Sequence, residues 1–131
     1  MSNEEQNRRK VYIAGPIGGR ENFNREAFAR RAAELRAAGY EPVNPHDIPP
    51  FKHIGRCPAG GRAIENYEES HGQHNYGCYL AVDIVTLSEC NGISLLDDWE
   101  LSPGATAEYY FSVAVGIPEI KVPARYEEVT T

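Results

Sequence analysis

Short apolar runs alternate along this chain with stretches of helical spacing, and that alternation leaves few architectures open. Val11-Tyr12-Ile13-Ala14 is a β-prone run stopped by Gly15-Pro16, as a buried strand would be. Residues 23–38 then take helical spacing. Phe28, Ala32 and Leu35 share one stripe, Glu26 and Arg30 form an exposed i,i+4 pair, and Gly39 is the expected C′ residue. Tyr40-Glu41-Pro42-Val43-Asn44 reads as a second strand, which Pro42 places at an edge. Helical spacing returns over about residues 75–88, with Leu80, Ile84 and Leu87 on one stripe. Gly92-Ile93-Ser94-Leu95-Leu96 is a third strand, residues 103–116 a further helix and residues 117–122 a fourth strand. The pattern predicts an α/β fold, a parallel sheet sandwiched by helices. In such sheets ligands bind beyond the carboxyl ends of the strands, where residues 15–20, 45–48 and 97–104 would converge.

The 131 residues suffice for one domain with a core of its own. We expect it over residues 11–122, with a solvated tail at 1–10, an irregular insertion at about 49–74 and a second tail at 123–131. An irregular segment of that length reads as a lid, a partner-binding segment or disorder, and a lid is the expectation. With 19 acidic and 13 basic residues the net charge is −6, which argues against a grip on a nucleic-acid polymer. One small phosphorylated ligand remains compatible. Residues 1–7 are polar and no apolar run is long enough to span a bilayer, so neither secretion nor a membrane is expected. Cys57, Cys78 and Cys90 are odd in number and lack CxxC spacing, which fits a reducing cytoplasm.

Glu108 carries the strongest chemical signal. It lies inside a run, residues 103–116, that is apolar almost all the way round, the pattern of a buried helix. A carboxylate there must be paired, protonated or functional. Its i−4 and i+4 neighbours are the small Gly104 and Ser112, which leaves its face open to a ligand. Ser102 precedes Pro103 and reads as an N-cap; its hydroxyl and the first-turn amides could equally hold an anion. From Ser102 to Glu108 the helix rises about 9 Å, the span between the phosphate and the far end of a sugar. Asp83 sits at the edge of its helix stripe, either a hydrogen-bonded boundary carboxylate or an acid/base partner raised by partial burial. Two carboxylates on adjacent helices suit glycosidic chemistry.

Other residues speak less clearly. Gly15-Pro16-Ile17-Gly18-Gly19-Arg20 is a glycine-bearing βα turn with neither the GxGxxG pattern nor a Walker lysine. Asp97, Asp98 and Trp99 follow the third strand, as turn acids and a half-buried tryptophan, or with Trp99 stacking on a base. His46, His53, His71 and His74 with Cys57 and Cys78 match no standard zinc spacing, so no metal is expected. None of the three cysteines is marked as an activated nucleophile.

Together these residues resemble the nucleoside 2-deoxyribosyltransferase superfamily. That group includes deoxyribosyltransferases, 2′-deoxynucleoside 5′-monophosphate N-glycosidases and an uncharacterised branch of small proteins frequent in phage genomes. The likeness rests on residues 12–21, on Asp83 and on Trp99-Glu100-Leu101-Ser102-Pro103-Gly104-Ala105-Thr106-Ala107-Glu108, and covers roughly residues 11–48 and 79–122. It implies a flavodoxin-like, three-layer sandwich with a short parallel sheet and active sites completed by a second subunit. It also implies roles: Glu108 attacks or stabilises the anomeric carbon, Asp83 assists the base, and Tyr12 orients Glu108. Deoxyribosyltransferases place an aspartate six residues before the glutamate, to bind the sugar 5′-hydroxyl, whereas the monophosphate glycosidases place a serine; this chain has Ser102. Residues 18–21 look like the glycosidases' phosphate loop, although Pro16 stands where that loop often carries a serine.

The expectation is thus a cytoplasmic enzyme, in the host cytoplasm if phage-encoded, that hydrolyses the N-glycosidic bond of a nucleoside 5′-monophosphate. Glu108, Asp83 and Tyr12 would be catalytic, and Gly15, Pro16, Ile17, Gly18, Gly19, Arg20, Asp98, Trp99, Ser102 and Gly104 would bind substrate. No cofactor is called for. The rivals are base exchange between deoxynucleosides and a non-catalytic nucleotide-binding module, which would not need both Glu108 and Asp83.

Overall fold

Along residues 11–14 successive side chains point to opposite faces of a strand, and all of them are buried, so a layer must cover each face. A computed structural model supplies those layers; it describes residues 8–47, 51–52, 63–64 and 76–122. In chain order these form β1 (Lys10–Ala14), α1 (Arg25–Ala37), β2 (Glu41–Val43), β3 (Phe51–Lys52), β4 (Ala63–Ile64), α2 (Tyr76–Ser88), β5 (Gly92–Leu95) and α3 (Pro103–Val115). Short 3-10 turns at Glu21–Asn24, Pro45–Asp47 and Trp99–Leu101 lie at the ends of elements.

The main sheet has the order β2-β1-β5 and is parallel throughout. Val11 and Ile13 pack with Phe28, Ala32 and Leu35 of α1, and with Leu96. Tyr12 and Ala14 face the other way, onto Leu87 at the end of α2 and Ala105 of α3. The fold is therefore an α/β sandwich of the flavodoxin-like kind, with α1 on one face and α2 and α3 on the other. Burying a side chain such as Phe28 or Leu35 contributes about 1.5–3 kcal/mol, so the α1 stripe and β1 together hold the core. Arg31 ties α1 to β5, donating from Nη1 to Ser94 Oγ and to the Leu95 carbonyl, both at 2.9 Å.

Several local expectations change on inspection. Strand order places β2 at the edge, as Pro42 requires, and Gly39 takes a φ of +95° after α1. The first helix starts at Arg25 rather than at residue 23, because Asn22, Phe23 and Asn24 form a left-handed turn with φ of 51°, 53° and 59°. The fourth strand is reduced to one parallel bridge, Ile93 to Glu119. Pro118 accepts from Ile93 N–H at 3.0 Å but has no N–H to extend the ladder backward. Helix α3 is buried only along Gly104, Ala105, Glu108 and Ser112; Tyr110, Val113 and Val115 on its outer side are more than half exposed. On α2 the core residues are Tyr79, Val82 and Leu87, whereas Leu80 and Ile84 are only half-buried.

Within the irregular stretch expected at about 49–74, Phe51 pairs with Ile64 and Lys52 with Ala63, antiparallel. The rest of that stretch, with His53, Cys57, His71 and His74, lies outside the described residues, as do tail residues 1–7 and 123–131. Lys10 already belongs to β1, and the Arg9 carbonyl accepts from Glu41 N–H at 2.8 Å. Among the described residues no helix is long and apolar enough to cross a membrane.

Candidate active site

The chain leaves β1 toward β2 on one side and reaches β5 on the other, so the winding reverses between β1 and β5. A crevice opens at that point, beyond the strand ends. There a cavity of about 330 Å³ is lined by Pro16, Ile17, Gly18 and Arg20 after β1, Tyr79, Leu80 and Asp83 of α2, and Leu101, Ser102, Pro103, Gly104, Ala105 and Glu108 around the start of α3. That volume falls at the small end of the range of ligand pockets.

Glu108 is 5% exposed and Tyr12, beneath it in β1, is fully buried. The Tyr12 hydroxyl donates to Glu108 Oε2 at 2.9 Å. Burial raises the Glu108 carboxyl well above its usual range, and the nearby Asp83 charge raises it further, while the Tyr12 bond pulls the other way. Burial alone pushes Asp83 up to about 7. The phenol of Tyr12 is raised as well, by burial and then by the Glu108 charge, so it stays a donor at neutral pH. With burial raising both carboxyls and the Asp83 charge raising Glu108 further, the pair retains a proton near neutrality. Of the influences on Glu108, the Tyr12 donor is the one that favours its charged form. Two carboxyls that hold a proton between them thus face one cavity, a pairing suited to general acid catalysis beside an anionic stabiliser.

At the other end of the cavity Ser102 caps α3. Its Oγ accepts from Ala105 N–H at 3.2 Å, Pro103 occupies the first turn, and the Ser102 carbonyl accepts from Thr106 N–H at 2.9 Å. With Oγ serving as acceptor, the hydroxyl hydrogen remains for another partner. Arg20 lies on the same rim and pairs with Asp98 at 3.5 Å. The lining thus combines the polar groups of Ser102 and Arg20 with the two carboxyls and the apolar Ile17, Leu80 and Leu101.

Of the site residues expected from sequence, Pro16, Ile17, Gly18, Arg20, Asp83, Ser102, Gly104 and Glu108 line the cavity, with Tyr12 behind Glu108. Gly15, Gly19, Asp98 and Trp99 do not line it. Gly15 is needed for packing, since a Cβ there would meet the Leu96 side chain at 2.7 Å. Gly19 supplies a φ of +76° in the loop. Trp99 packs against Tyr109 with ring centroids 4.7 Å apart and the rings tilted by 43°. Tyr79, Leu80, Leu101, Pro103 and Ala105 line the cavity without having been expected. Tyr79 and Leu80 were legible as neighbours of Asp83 one turn away, but which of the two faces a ligand depends on how α2 is rotated.

His46 sets its ring edge-on to Phe28, and its Nε2 lies 2.9 Å from the Phe23 carbonyl, so it anchors the left-handed turn. Asn24 completes that anchor, donating to the Pro16 carbonyl at 2.9 Å. Among the described residues no cluster of His, Cys, Asp and Glu could hold a metal ion. Burial pushes the Cys90 thiol up to about 11, which leaves it inert at neutral pH.

Comparison with known families gives a match over residues 9–55 and 51–121 to the model described as "Domain of unknown function (DUF4406)", and the chain belongs to that family. No curated protein and no solved structure matches it.

Proposed function

We propose that this member of the DUF4406 family is an N-glycosidase that hydrolyses a (deoxy)nucleoside 5′-monophosphate to free base and (deoxy)ribose 5-phosphate. The observation that carries the reading is the buried Tyr12–Glu108 hydrogen bond in a cavity shared with Asp83. A stability-driven fold has no use for two raised carboxyls at the end of its sheet, whereas glycosidic cleavage needs both. The resemblance to the nucleoside 2-deoxyribosyltransferase superfamily adds the roles, and Ser102 favours the monophosphate branch.

The sugar lies with its anomeric carbon beside Glu108 and its 5′-phosphate at the start of α3. There the Ser102 hydroxyl, the Gly104 amide and the Arg20 guanidinium attract the dianion. The bond from base to anomeric carbon breaks as Asp83 gives its proton to the departing base. Glu108 either bonds to that carbon or stabilises its positive charge. Water then adds to the carbon and returns a proton to Asp83. Tyr12 holds the Glu108 carboxylate in place throughout.

The working form is a homo-oligomer in a cytoplasm. Exposure of Leu101 (74%), Tyr110 (62%), Val113 and Val115 along α3 supports it. Leu101 also lines the cavity, so a second copy packed there would close its rim.

The test is to incubate the protein with each nucleoside and each 5′-monophosphate, with and without a second free base, and to follow base release by chromatography. Release from monophosphates alone supports the reading. Base exchange on unphosphorylated nucleosides replaces it with transferase activity. Saturable nucleotide binding without release from any substrate replaces it with a binding module.

A further inference from the structure

Arg20 and Asp98 come from the two loops that meet at the cavity mouth, one after β1 and one after β5. Arg20 lines the cavity and Asp98 does not. Both terminal nitrogens of Arg20 lie 3.5 Å from the same oxygen, Asp98 Oδ2. This is a long contact to a single oxygen between side chains 36% and 55% exposed.

Asp98 occupies the N-cap position of the 3-10 turn Trp99–Leu101, with a φ of 66°. An aspartate at an N-cap ordinarily accepts from the amides of its own turn. This one makes no such bond and reaches Arg20 on the other loop instead. Apart from the Ser102 hydroxyl and the Gly104 amide, the rest of the rim has few donors for an anion. Pro103 has no N–H, and the Ala105 and Thr106 amides go to the Oγ and carbonyl of Ser102. Arg20 is the cation lining the cavity among the described residues, and Asp98 holds it.

We infer that Asp98 is a built-in competitor for the anion this cavity takes, and that it sets how much negative charge a ligand must bring to engage Arg20. The inference rests on the reading that the cavity receives a phosphorylated sugar. A phosphate dianion presents two oxygens to the guanidinium fork, where Asp98 presents one. An exposed pair of this kind is weak, so the exchange is easy for a dianion. An uncharged nucleoside offers nothing in return and leaves Arg20 on Asp98. Asp98 is therefore a specificity-determining residue that acts through Arg20 without touching substrate.

The test is binding of inorganic phosphate and of ribose 5-phosphate to the full chain, followed by amide chemical shifts, for wild type, D98N, D97N, R20A and the D98N/R20A pair. Asn is nearly isosteric with Asp and tolerates a positive φ, so D98N should fold. D98N is expected to tighten both ligands about two- to fivefold, the range that the strength of an exposed pair allows. R20A should weaken both, and D98N should gain nothing when Arg20 is absent. Asp97, the exposed neighbour, controls for net charge, and D97N should leave affinity unchanged.

Weaker or equal binding by D98N overturns the inference. So does a gain that persists without Arg20 or that D97N reproduces, and so does the lack of any saturable shift with either ligand. Base release is measured separately. Phosphate binding with the expected pattern but no base release would sink the glycosidase reading while leaving the role of Asp98 intact.

Discussion

Glu108, Asp83 and Tyr12 decide what the site can do, and each makes a separable prediction. Replacing Tyr12 by Phe removes the 2.9 Å donor to Glu108. A hydrogen bond to a charged group contributes about 1.5–3 kcal/mol. Turnover should therefore fall about tenfold to a hundredfold, and the Glu108 carboxyl should rise further, read as a shift in the pH profile. Asp83→Asn removes the acid and should cost on the order of a hundredfold or more in turnover. The same residue should make stability depend on pH. Folded, Asp83 keeps its proton up to about pH 7; unfolded, it loses it near its ordinary 3.8. Between those values the folded state binds more protons, so stability is highest in acid and falls as pH rises toward 7. Urea midpoints should decline over that window in wild type and decline less steeply in Asp83→Asn, where the buried Glu108 still contributes. Activity should fall as pH rises through about 7, where the acid is lost. At this scale Glu108 was legible because a charge inside an apolar run has few explanations. Asp98 and Trp99 do not line the cavity, because side-chain direction after a strand depends here on the left-handed φ of Asp98.

Elements were legible where periodicity is strong. The stripe of Phe28, Ala32 and Leu35 is the buried face of α1, and Ser102-Pro103 starts α3 as cap and first residue. Ser102→Ala should therefore cost about 1 kcal/mol of stability from the cap, in addition to any loss of phosphate affinity, and the two effects separate by calorimetry and ligand titration. The turn after β1 was read as glycine-rich for a ligand's sake, yet Gly15 is set by Leu96. A Cβ would lie 2.7 Å from Leu96 Cδ1 and 2.8 Å from its Cβ, and the latter cannot swing away. Gly15→Ala should destabilise by about 1–3 kcal/mol, as overpacking does, measured by denaturant unfolding. Less was legible where long-range contacts decide. The left-handed turn at residues 22–24 is held by His46 and Asn24; Asn22 and Asn24 tolerate that conformation, but Phe23 between them gives no sign of it. The last segment reads as a strand but forms a single bridge, because Pro118 cannot donate. On α2 Leu87 of the expected stripe is in the core, whereas Tyr79 and Val82 take the places expected of Leu80 and Ile84, and Leu80 lines the cavity.

For the molecule as a whole, alternation of strands and helices sufficed to give a parallel α/β sandwich, and the sheet order β2-β1-β5 then fixes where its crevice opens. Periodicity could not tell a helix buried on all sides from one whose outer face meets solvent, and α3 is the second kind. If those outer residues meet a second copy, Tyr110→Glu with Val113→Asp should shift sedimentation toward monomer and lower base release together, with little loss of monomer stability. The claim on which most depends is that the buried carboxylate of α3 breaks a glycosidic bond. The most direct measurement is base release from the four deoxynucleoside 5′-monophosphates by wild type beside Glu108→Gln, with folding of both verified by circular dichroism. Release by wild type, reduced on the order of a thousandfold in a folded Glu108→Gln protein, is the predicted result. Equal rates in the two proteins, or none in wild type, would contradict it.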